Sequence, residues 1–181
     1  KESVFPFNRF QGQDILLSPE MKSTGEVMGL DADLGTAYAK SQMAANAPLP
    51  LEGKVFISVN KSDKSQIADL AKQFSDLGFE LICTEGTARV IQEAGMEVRE
   101  VRKLAEGRPN SLDLLKNGEI QLVINTPSGQ APRADEVKIR TTAVYSRVPI
   151  MTTLSSAKAA ASAIAALKKN GYQVKPIQEY L

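Results

Sequence analysis

The chain has 181 residues, of which 43% are hydrophobic and 24% are charged, a composition typical of a globular protein. Its 22 basic and 21 acidic residues leave a net charge of +1, which excludes a general electrostatic attraction to nucleic acid or to a membrane surface. The absence of histidine excludes Ser-His-Asp catalysis and histidine-containing zinc sites. The single cysteine excludes a disulfide framework and favours a reducing, cytoplasmic setting.

The first quarter of the chain predicts little regular structure. Residues 1–29 scatter Phe among Pro and Gly without a helical or strand period, so this segment is expected to order only by packing on other parts. An Ala-rich helix is predicted over residues 33–45. Its buried stripe would comprise Leu34, Ala37, Tyr38 and Met43. Two prolines then make residues 47–53 a predicted linker and domain boundary.

From residue 54 onward, strand and helix patterns alternate, which is typical of an α/β fold with a parallel sheet. Strands are predicted at residues 55–59, 79–83, 97–101, 120–124 and 148–151. Five helices are predicted between and after these strands. The first is capped by Ser62 or Asp63 and ended by Gly78, and the second is capped by Thr87. Two more are predicted at residues 111–116 and 134–145, and the last is capped by Ser155 or Ser156. The sequence therefore predicts a small, doubly wound, five-stranded parallel sheet with Rossmann-type layers, preceded by an irregular and helical segment.

Polar side chains follow the first four predicted strands, where the carboxyl ends of parallel strands meet at one rim. They are Ser58, Lys64, Thr84, Gly86, Thr87, Lys103, Asn125, Thr126 and Ser128. Two ammonium groups, several hydroxyls and a glycine at a helix N-terminus predict a phosphate pocket with a polar side suited to a ribose or a base. The alternative interpretation is that each residue is a helix cap or a solvated surface group.

The same rim is poorly equipped for catalysis. Glu85 is the only acid in the turn after the second strand, and its charge would oppose an incoming phosphate. The sequence contains neither a Walker A motif nor GxGxxG, and no cluster of metal ligands. Binding is therefore favoured over turnover.

Several stretches resemble a known enzyme family. Residues 2–10 and 17–29 resemble the end of the second ATP-grasp half of the carbamoyl-phosphate synthase large subunit. Residues 84–88, 103, 106–109 and 125–129 resemble the regulatory domain of that subunit, which has the methylglyoxal-synthase-like fold. The resemblance implies an ATP-grasp tail at residues 1–46, a linker at 47–53 and an allosteric domain at 54–181.

The resemblance also implies a function. The parent enzyme makes carbamoyl phosphate for pyrimidine and arginine synthesis from bicarbonate, glutamine-derived ammonia and ATP, with Mg or Mn. Its allosteric domain binds UMP as inhibitor and IMP as activator. The expected partners are the rest of the large subunit, a glutaminase small subunit and further copies of the parent enzyme.

Site residues carry over by position. The phosphate would fall to Lys64, Thr84, Thr87 and Lys103, and the ribose or base to Asn125 and the turn after it. Asp135 and Ile139 would border the nucleotide. An ornithine site would be bordered by Glu2, Leu17 and Thr152.

Two departures from the family pattern bear on binding. Glu85 stands where related bacterial chains often carry His, and Pro127 stands where Thr often supplies a hydroxyl. The chain itself is expected to be non-catalytic and to hold no cofactor. Two alternatives are a phospho-sugar lyase of the methylglyoxal-synthase type, which the absence of histidine disfavours, and an oligomerisation domain that binds no nucleotide.

Overall fold

The computed structural model describes residues 1–7, 13–17, 19–128 and 134–180. The N-terminal segment contains two short strands, β1 (Glu2–Ser3) and β2 (Glu26–Val27), which pair antiparallel ahead of helix α1 (Leu34–Ala44). Parts of the two N-terminal stretches of the resemblance, residues 8–10 and Ser18, lie outside the described residues. The expected irregular and helical segment is confirmed where it is described.

A five-stranded parallel sheet forms the centre of the molecule, as predicted. Its strands are β3 (Lys54–Ser58), β4 (Glu80–Thr84), β5 (Arg99–Val101), β6 (Leu122–Asn125) and β7 (Ile150–Met151). They lie in the order β5-β4-β3-β6-β7, and each pairs in parallel with its neighbours. Chain order reverses between β3 and β6, which makes their carboxyl ends the topological switch point where such sheets bind ligands.

Helices cover both faces of the sheet, because side chains along each strand alternate between the two faces. The remaining helices are α2 (Ile67–Asp76), α3 (Glu85–Glu93), α4 (Ser111–Lys116), α5 (Ala134–Tyr145) and α6 (Leu154–Asn170). Val55 and Ile57 of β3 share one core with α1, α2, α3 and α6. Phe56 of the same strand shares the other core with α4 and α5. The doubly wound architecture is therefore confirmed.

The predicted N-cap of α3 was wrong. This helix begins at Glu85, directly after β4, so Thr84 occupies the N-cap position. Thr87 lies one turn further on and is buried. The break predicted at residues 84–86 is absent because the strand passes into the helix without a connecting loop.

Two other caps also differ from prediction. The N-cap of α6 is Thr153, whose hydroxyl accepts from the Ser156 amide at 3.1 Å, and the cap is neither Ser155 nor Ser156. A 3₁₀ turn at Lys64–Gln66 precedes α2, and Asp63 at its start makes no side-chain cap bond. Helices α4 and α5, in contrast, have the predicted bounds.

Helix α1 packs closely on α6 through small residues. Leu34 is 83% exposed and Met43 is also exposed, so the predicted stripe was wrong for both. The buried positions are instead Gly35, Thr36, Ala39, Ser41 and Gln42. A Cβ at Gly35 would stand 2.8 Å from the Ser162 carbonyl oxygen of α6, which shows how near the two helices approach. The boundary at residues 47–53 stays a prediction.

Cys83, the chain's one cysteine, lies inside β4 and is fully buried. Burial raises the pKa of its thiol to about 12, so the group stays protonated at neutral pH. Among the helices described, none has the length and apolar character needed to cross a bilayer. The described part of the chain also holds no group of three or more His, Cys, Asp or Glu suited to a metal ion.

Candidate functional site

A cleft of about 500 Å³ opens at the carboxyl ends of β3, β4 and β6. It lies at the topological switch point, because the segments after these strands converge there. Every residue predicted for the nucleotide site except Asn125 lines it: Ser58, Lys64, Thr84, Gly86, Thr87, Lys103, Thr126, Ser128, Asp135 and Ile139. The chain order of the strands thus brings residues from five separate segments to one surface.

The positive end of α3 faces Lys64. A Cβ at Gly86 would lie 2.7 Å from Lys64 Nζ, so the missing side chain leaves room for the ammonium group beside the first turn. The ammonium makes no hydrogen bond or ion pair with any described residue. The side chain of Thr84, at the N-cap position, makes no capping hydrogen bond to the amides of the first turn, and its hydroxyl donates to Ser58 Oγ at 3.3 Å. Unpaired amide groups and a neighbouring cation form a site that suits an anion.

Two buried threonines shape the loop that carries Lys64. The Thr126 hydroxyl accepts from the Asn60 amide at 2.9 Å, and the Thr87 hydroxyl accepts from the Val59 amide at 3.5 Å. Each hydroxyl therefore keeps its own proton for a further acceptor. These residues fix the loop after β3 while still presenting donors at the cleft.

Lys103, in contrast, is already engaged by carboxylates. Its Nζ lies 3.3 Å from Glu106 Oε1 and 3.6 Å from Glu85 Oε2. The hydrogen bond and charge of Glu106, and then Glu85, raise the pKa of Lys103 above its ordinary value. Glu85 also accepts from Arg89 at 3.2 Å. An anion that binds Lys103 must compete with these acids.

Removing the charge of Glu85 is expected to strengthen anion binding in the cleft. In Glu85→Gln, Lys103 keeps only Glu106 as a charged partner, so inorganic phosphate should bind more tightly at low salt. The gain should be only about threefold, because the Lys103–Glu85 pair that is removed is solvent-exposed and therefore weak. Calorimetric titration measures this. Glu93→Gln, at the other end of α3, is the matched control and should leave the affinity unchanged. Equal phosphate affinities in Glu85→Gln and the unaltered chain would show that Glu85 does not compete.

The opposite wall of the cleft comes from the turn after β6 and from α5. The Ser128 hydroxyl and amide both donate to the Glu136 carboxylate, the amide at 3.2 Å. Pro127 contributes only its carbonyl, which accepts from Asn60 Nδ2 at 3.1 Å. Gly129, the last residue of this predicted turn, lies outside the described residues. The wall therefore presents two carboxylates, those of Asp135 and Glu136, of which Glu136 is already paired with Ser128.

Asn125 lies behind this surface, and an unpredicted residue explains its position. Its Nδ2 donates to the Ser58 carbonyl at 3.1 Å, and its Oδ1 accepts from Arg140 Nη1 at 3.0 Å. Arg140 is fully buried and makes a two-point pair with Asp14, with Nε to Oδ1 at 2.7 Å and Nη2 to Oδ2 at 2.5 Å. Arg140 thus connects the floor of the cleft to the N-terminal segment.

Residues 66–152 match the family model described as MGS-like domain. This chain carries an MGS-like domain. Along its whole length it is also 51% identical over 178 residues to the carbamoyl phosphate synthase large chain of Acidobacterium capsulatum, covering 98% of this chain and 16% of that protein. The corresponding chain of Nostoc sp. is 49% identical over 180 residues, covering 99% and 16%. The predicted resemblance to this family is confirmed.

A plant relative extends the comparison. The carbamoyl phosphate synthase arginine-specific large chain, chloroplastic, of Oryza sativa subsp. japonica is 48% identical over 181 residues, covering 99% of this chain and 15% of that protein. The chain therefore spans about one sixth of the length of these relatives. A crystal structure of methylglyoxal synthase from Elizabethkingia anophelis NUHP1 is 18% identical, with a TM-score of 0.49, and covers 61% of this chain and 77% of that one.

The residues predicted to border ornithine lie away from the cleft of the MGS-like domain. Glu2 accepts from Gln42 Nε2 of α1 at 2.9 Å, and Thr152, half-buried, follows β7. Tyr38 lies between these regions, because its hydroxyl reaches Met151 Sδ at 3.6 Å and burial, with the Glu2 charge, raises its pKa to about 12. Leu17 is 65% exposed, and no described hydrogen bond joins it to the other two.

Sequence reasoning missed several residues that line the cleft. They are Val59, Glu85, Arg89, Val90, Leu104, Ser111 and Glu136. Glu85 was identified only as an obstacle. In the sequence Ser111 resembles an ordinary first residue of a helix, and the apolar residues resemble core residues. No sequence signal therefore distinguishes them as residues that line a cleft.

Proposed function

We propose that this chain is an allosteric region of a carbamoyl phosphate synthase large chain and that its cleft binds a nucleoside monophosphate. The observation that carries the proposal is the unpaired Lys64 ammonium beside Gly86, at the positive end of α3. A phosphate there would gain a charge-assisted hydrogen bond and the first-turn amides. On this proposal UMP inhibits and IMP activates through the same cleft.

The nucleoside would extend from that phosphate across the carboxyl edge of the sheet. The hydroxyls of Thr126 and Ser128 would face the sugar, and Leu104 and Ile139 offer apolar contacts at the far side. Asn125 would act indirectly on this proposal, because both ends of its amide are bonded to protein groups. Its effect would be to position the Ser58 carbonyl and thus the end of β3.

Regulation requires that an effector bind two states of the parent enzyme unequally. Residues 1–46 would connect the cleft to the remainder of the large chain, where ATP, with Mg or Mn, and the glutaminase partner would act in pyrimidine and arginine synthesis. The Asp14–Arg140 pair supports this link, since it joins the N-terminal segment to Asn125. The parent enzyme would work as an oligomer in the cytoplasm.

An ornithine effector would bind near the contact between the N-terminal segment and the MGS-like domain. The half-buried Glu2 carboxylate would pair with an ammonium group, and Tyr38, which reaches Met151 next to Thr152, connects the two regions. Leu17 would border the same site on this proposal. The hydrogen bond from Gln42 of α1 to the Glu2 carboxylate holds Glu2 against this helix, which supports the placement. The acidic partners that a diamine needs would come from other parts of the large chain.

The proposal is tested by calorimetric titration of the chain with UMP and with IMP. Lys64→Ala should lower the affinity for both nucleotides by about tenfold to a hundredfold, because one charge-assisted contact to the phosphate is lost. Lys72→Ala, whose ammonium pairs with Asp76 on the exposed side of α2, is the matched control and should bind normally.

Other outcomes separate the alternatives. A folded chain that binds neither nucleotide would refute the proposal, and concentration-dependent association of that chain would favour the oligomerisation domain. Turnover of dihydroxyacetone phosphate would favour the lyase instead.

A further inference from the structure

Ser111 carries a buried hydroxyl that nothing in the described structure uses. The residue is 1% exposed, lines the cleft, and its Oγ has no hydrogen-bond partner among the described residues. It is not needed as a cap, because Asn110 Oδ1 accepts from the Leu112 amide at 3.0 Å and Asp113 Oδ2 accepts from the Asn110 amide at 2.9 Å. Buried polar groups are ordinarily paired, so an unpaired one at a cleft points to a ligand atom as its partner.

The position of Ser111 indicates which part of a ligand it would meet. Lys64 and Gly86 lie beside α2 and α3, on one face of the sheet. Ser111 begins α4, and Leu104 and Ile139 belong to the core on the other face. A ligand whose phosphate lies at α3 must cross the sheet edge to reach this side, where the lining of the cleft includes the apolar Leu104 and Ile139 together with Ser111.

We infer that the Ser111 hydroxyl hydrogen-bonds the base of the bound nucleoside monophosphate, with Leu104 and Ile139 packing against the ring. This inference rests on the proposed function and adds to it a residue that recognises the base. A hydroxyl both donates and accepts, so it can pair with a ring carbonyl or an amino group. Ser111 therefore distinguishes a nucleotide from a sugar phosphate without selecting one base.

The test compares UMP with ribose 5-phosphate, which has the phosphate and sugar but no base. Ser111→Ala should weaken UMP binding about three- to tenfold, the value of one neutral hydrogen bond, and leave ribose 5-phosphate affinity unchanged. Ser75→Ala, an exposed serine of α2 outside the cleft, is the matched control. The unfolding midpoint of unliganded Ser111→Ala should stay equal or rise, because a hydroxyl without a partner stabilises nothing.

Each failure has its own signature. Unaltered UMP affinity in Ser111→Ala, or an equal loss for both ligands, would overturn the role of Ser111 and leave the proposed function standing. A lower unfolding midpoint in the unliganded variant would show that the hydroxyl has a structural partner. Absence of UMP and IMP binding in the unaltered chain would overturn the proposed function and this inference together.

Discussion

Asp14→Ala is expected to lower the free energy of unfolding by about 3 kcal/mol, because it removes the two-point counter-charge of the buried Arg140 guanidinium and leaves Glu136 as its remaining acidic partner among the described residues. Arg140 is fully buried and Asp14 supplies both oxygens of its two-point pair. The remaining partners replace this carboxylate only in part: Asn125 is neutral, and Glu136 Oε2 lies 3.9 Å from Nη1 and already accepts from the Ser128 amide. Urea unfolding followed by circular dichroism measures the loss.

Two variants sharpen this test. Asp76→Ala breaks an exposed pair with Lys72 and should leave stability nearly unchanged, as exposed ion pairs contribute little. The double change Asp14→Ala with Arg140→Met should recover most of the loss, because an apolar residue needs no counter-charge. A small effect of Asp14→Ala alone would mean that water or another group satisfies Arg140.

The pH dependence of the same variant checks the cause. Partial burial raises the pKa of Asp14, but hydrogen bonding to Arg140 and the Arg140 charge outweigh it, so the pKa in the folded chain lies below the ordinary value of 3.8. A carboxyl with a depressed folded pKa stabilises the fold above its unfolded pKa and loses that contribution as the pH falls through the folded value. The stability gap between the original chain and Asp14→Ala should therefore persist above pH 3.8 and close below it.

Gly29→Ala is expected to lower the free energy of unfolding by about 3 kcal/mol, the upper end of typical overpacking costs. A Cβ at this position would lie 2.0 Å from the Ala37 carbonyl oxygen and 2.5 Å from the Ser41 amide nitrogen. These two atoms are four residues apart in α1, where a helical hydrogen bond forms. Both belong to the backbone, so neither can move aside cheaply, and the segment before α1 must shift.

Gly25→Ala is the matched control. Its Cβ would meet only Ser23 Oγ at 3.6 Å and Val4 Cβ at 4.0 Å, which are ordinary contacts. Urea unfolding should show a small change for this variant, and hydrogen exchange should show extra opening of residues 19–44 in Gly29→Ala alone. Similar stabilities for the two variants would contradict the close approach at Gly29.

The sheet was predictable because its signals are local. The alternation of strand and helix patterns, with its apolar runs, located all five strands to within two residues at each end, and α4 begins at the predicted Ser111. The buried face of α1 was not predictable in the same way. Its partner α6 is even richer in alanine, so close approach of small residues, and not an apolar stripe, decides which side is buried.

The cleft was predictable where topology alone decides. Parallel strands place their carboxyl ends together, so Lys64, Thr84 and Thr126 could be assigned to one rim before any contact was known. The Asp14–Arg140 pair could not be found, because its members are separated by 126 positions and each resembles a surface charge in the sequence. The sequence predicted Asn125 at the rim because it gave no sign of Arg140. In the structure Asn125 turns inward, where its Oδ1 accepts from Arg140.

The burial of Cys83 has a practical consequence for measuring the two states that regulation of the parent enzyme would require. Its thiol lies within β4 and is protonated at neutral pH, so maleimide reagents, which react with thiolates, should pass over it in the native protein. Two cysteines introduced at exposed positions, such as Ser75 and Lys116, would then take fluorophores or spin labels while Cys83 stays unlabelled. Distances between labelled sites can be followed without first removing the native cysteine, and any labelling of Cys83 itself would report opening of the central sheet.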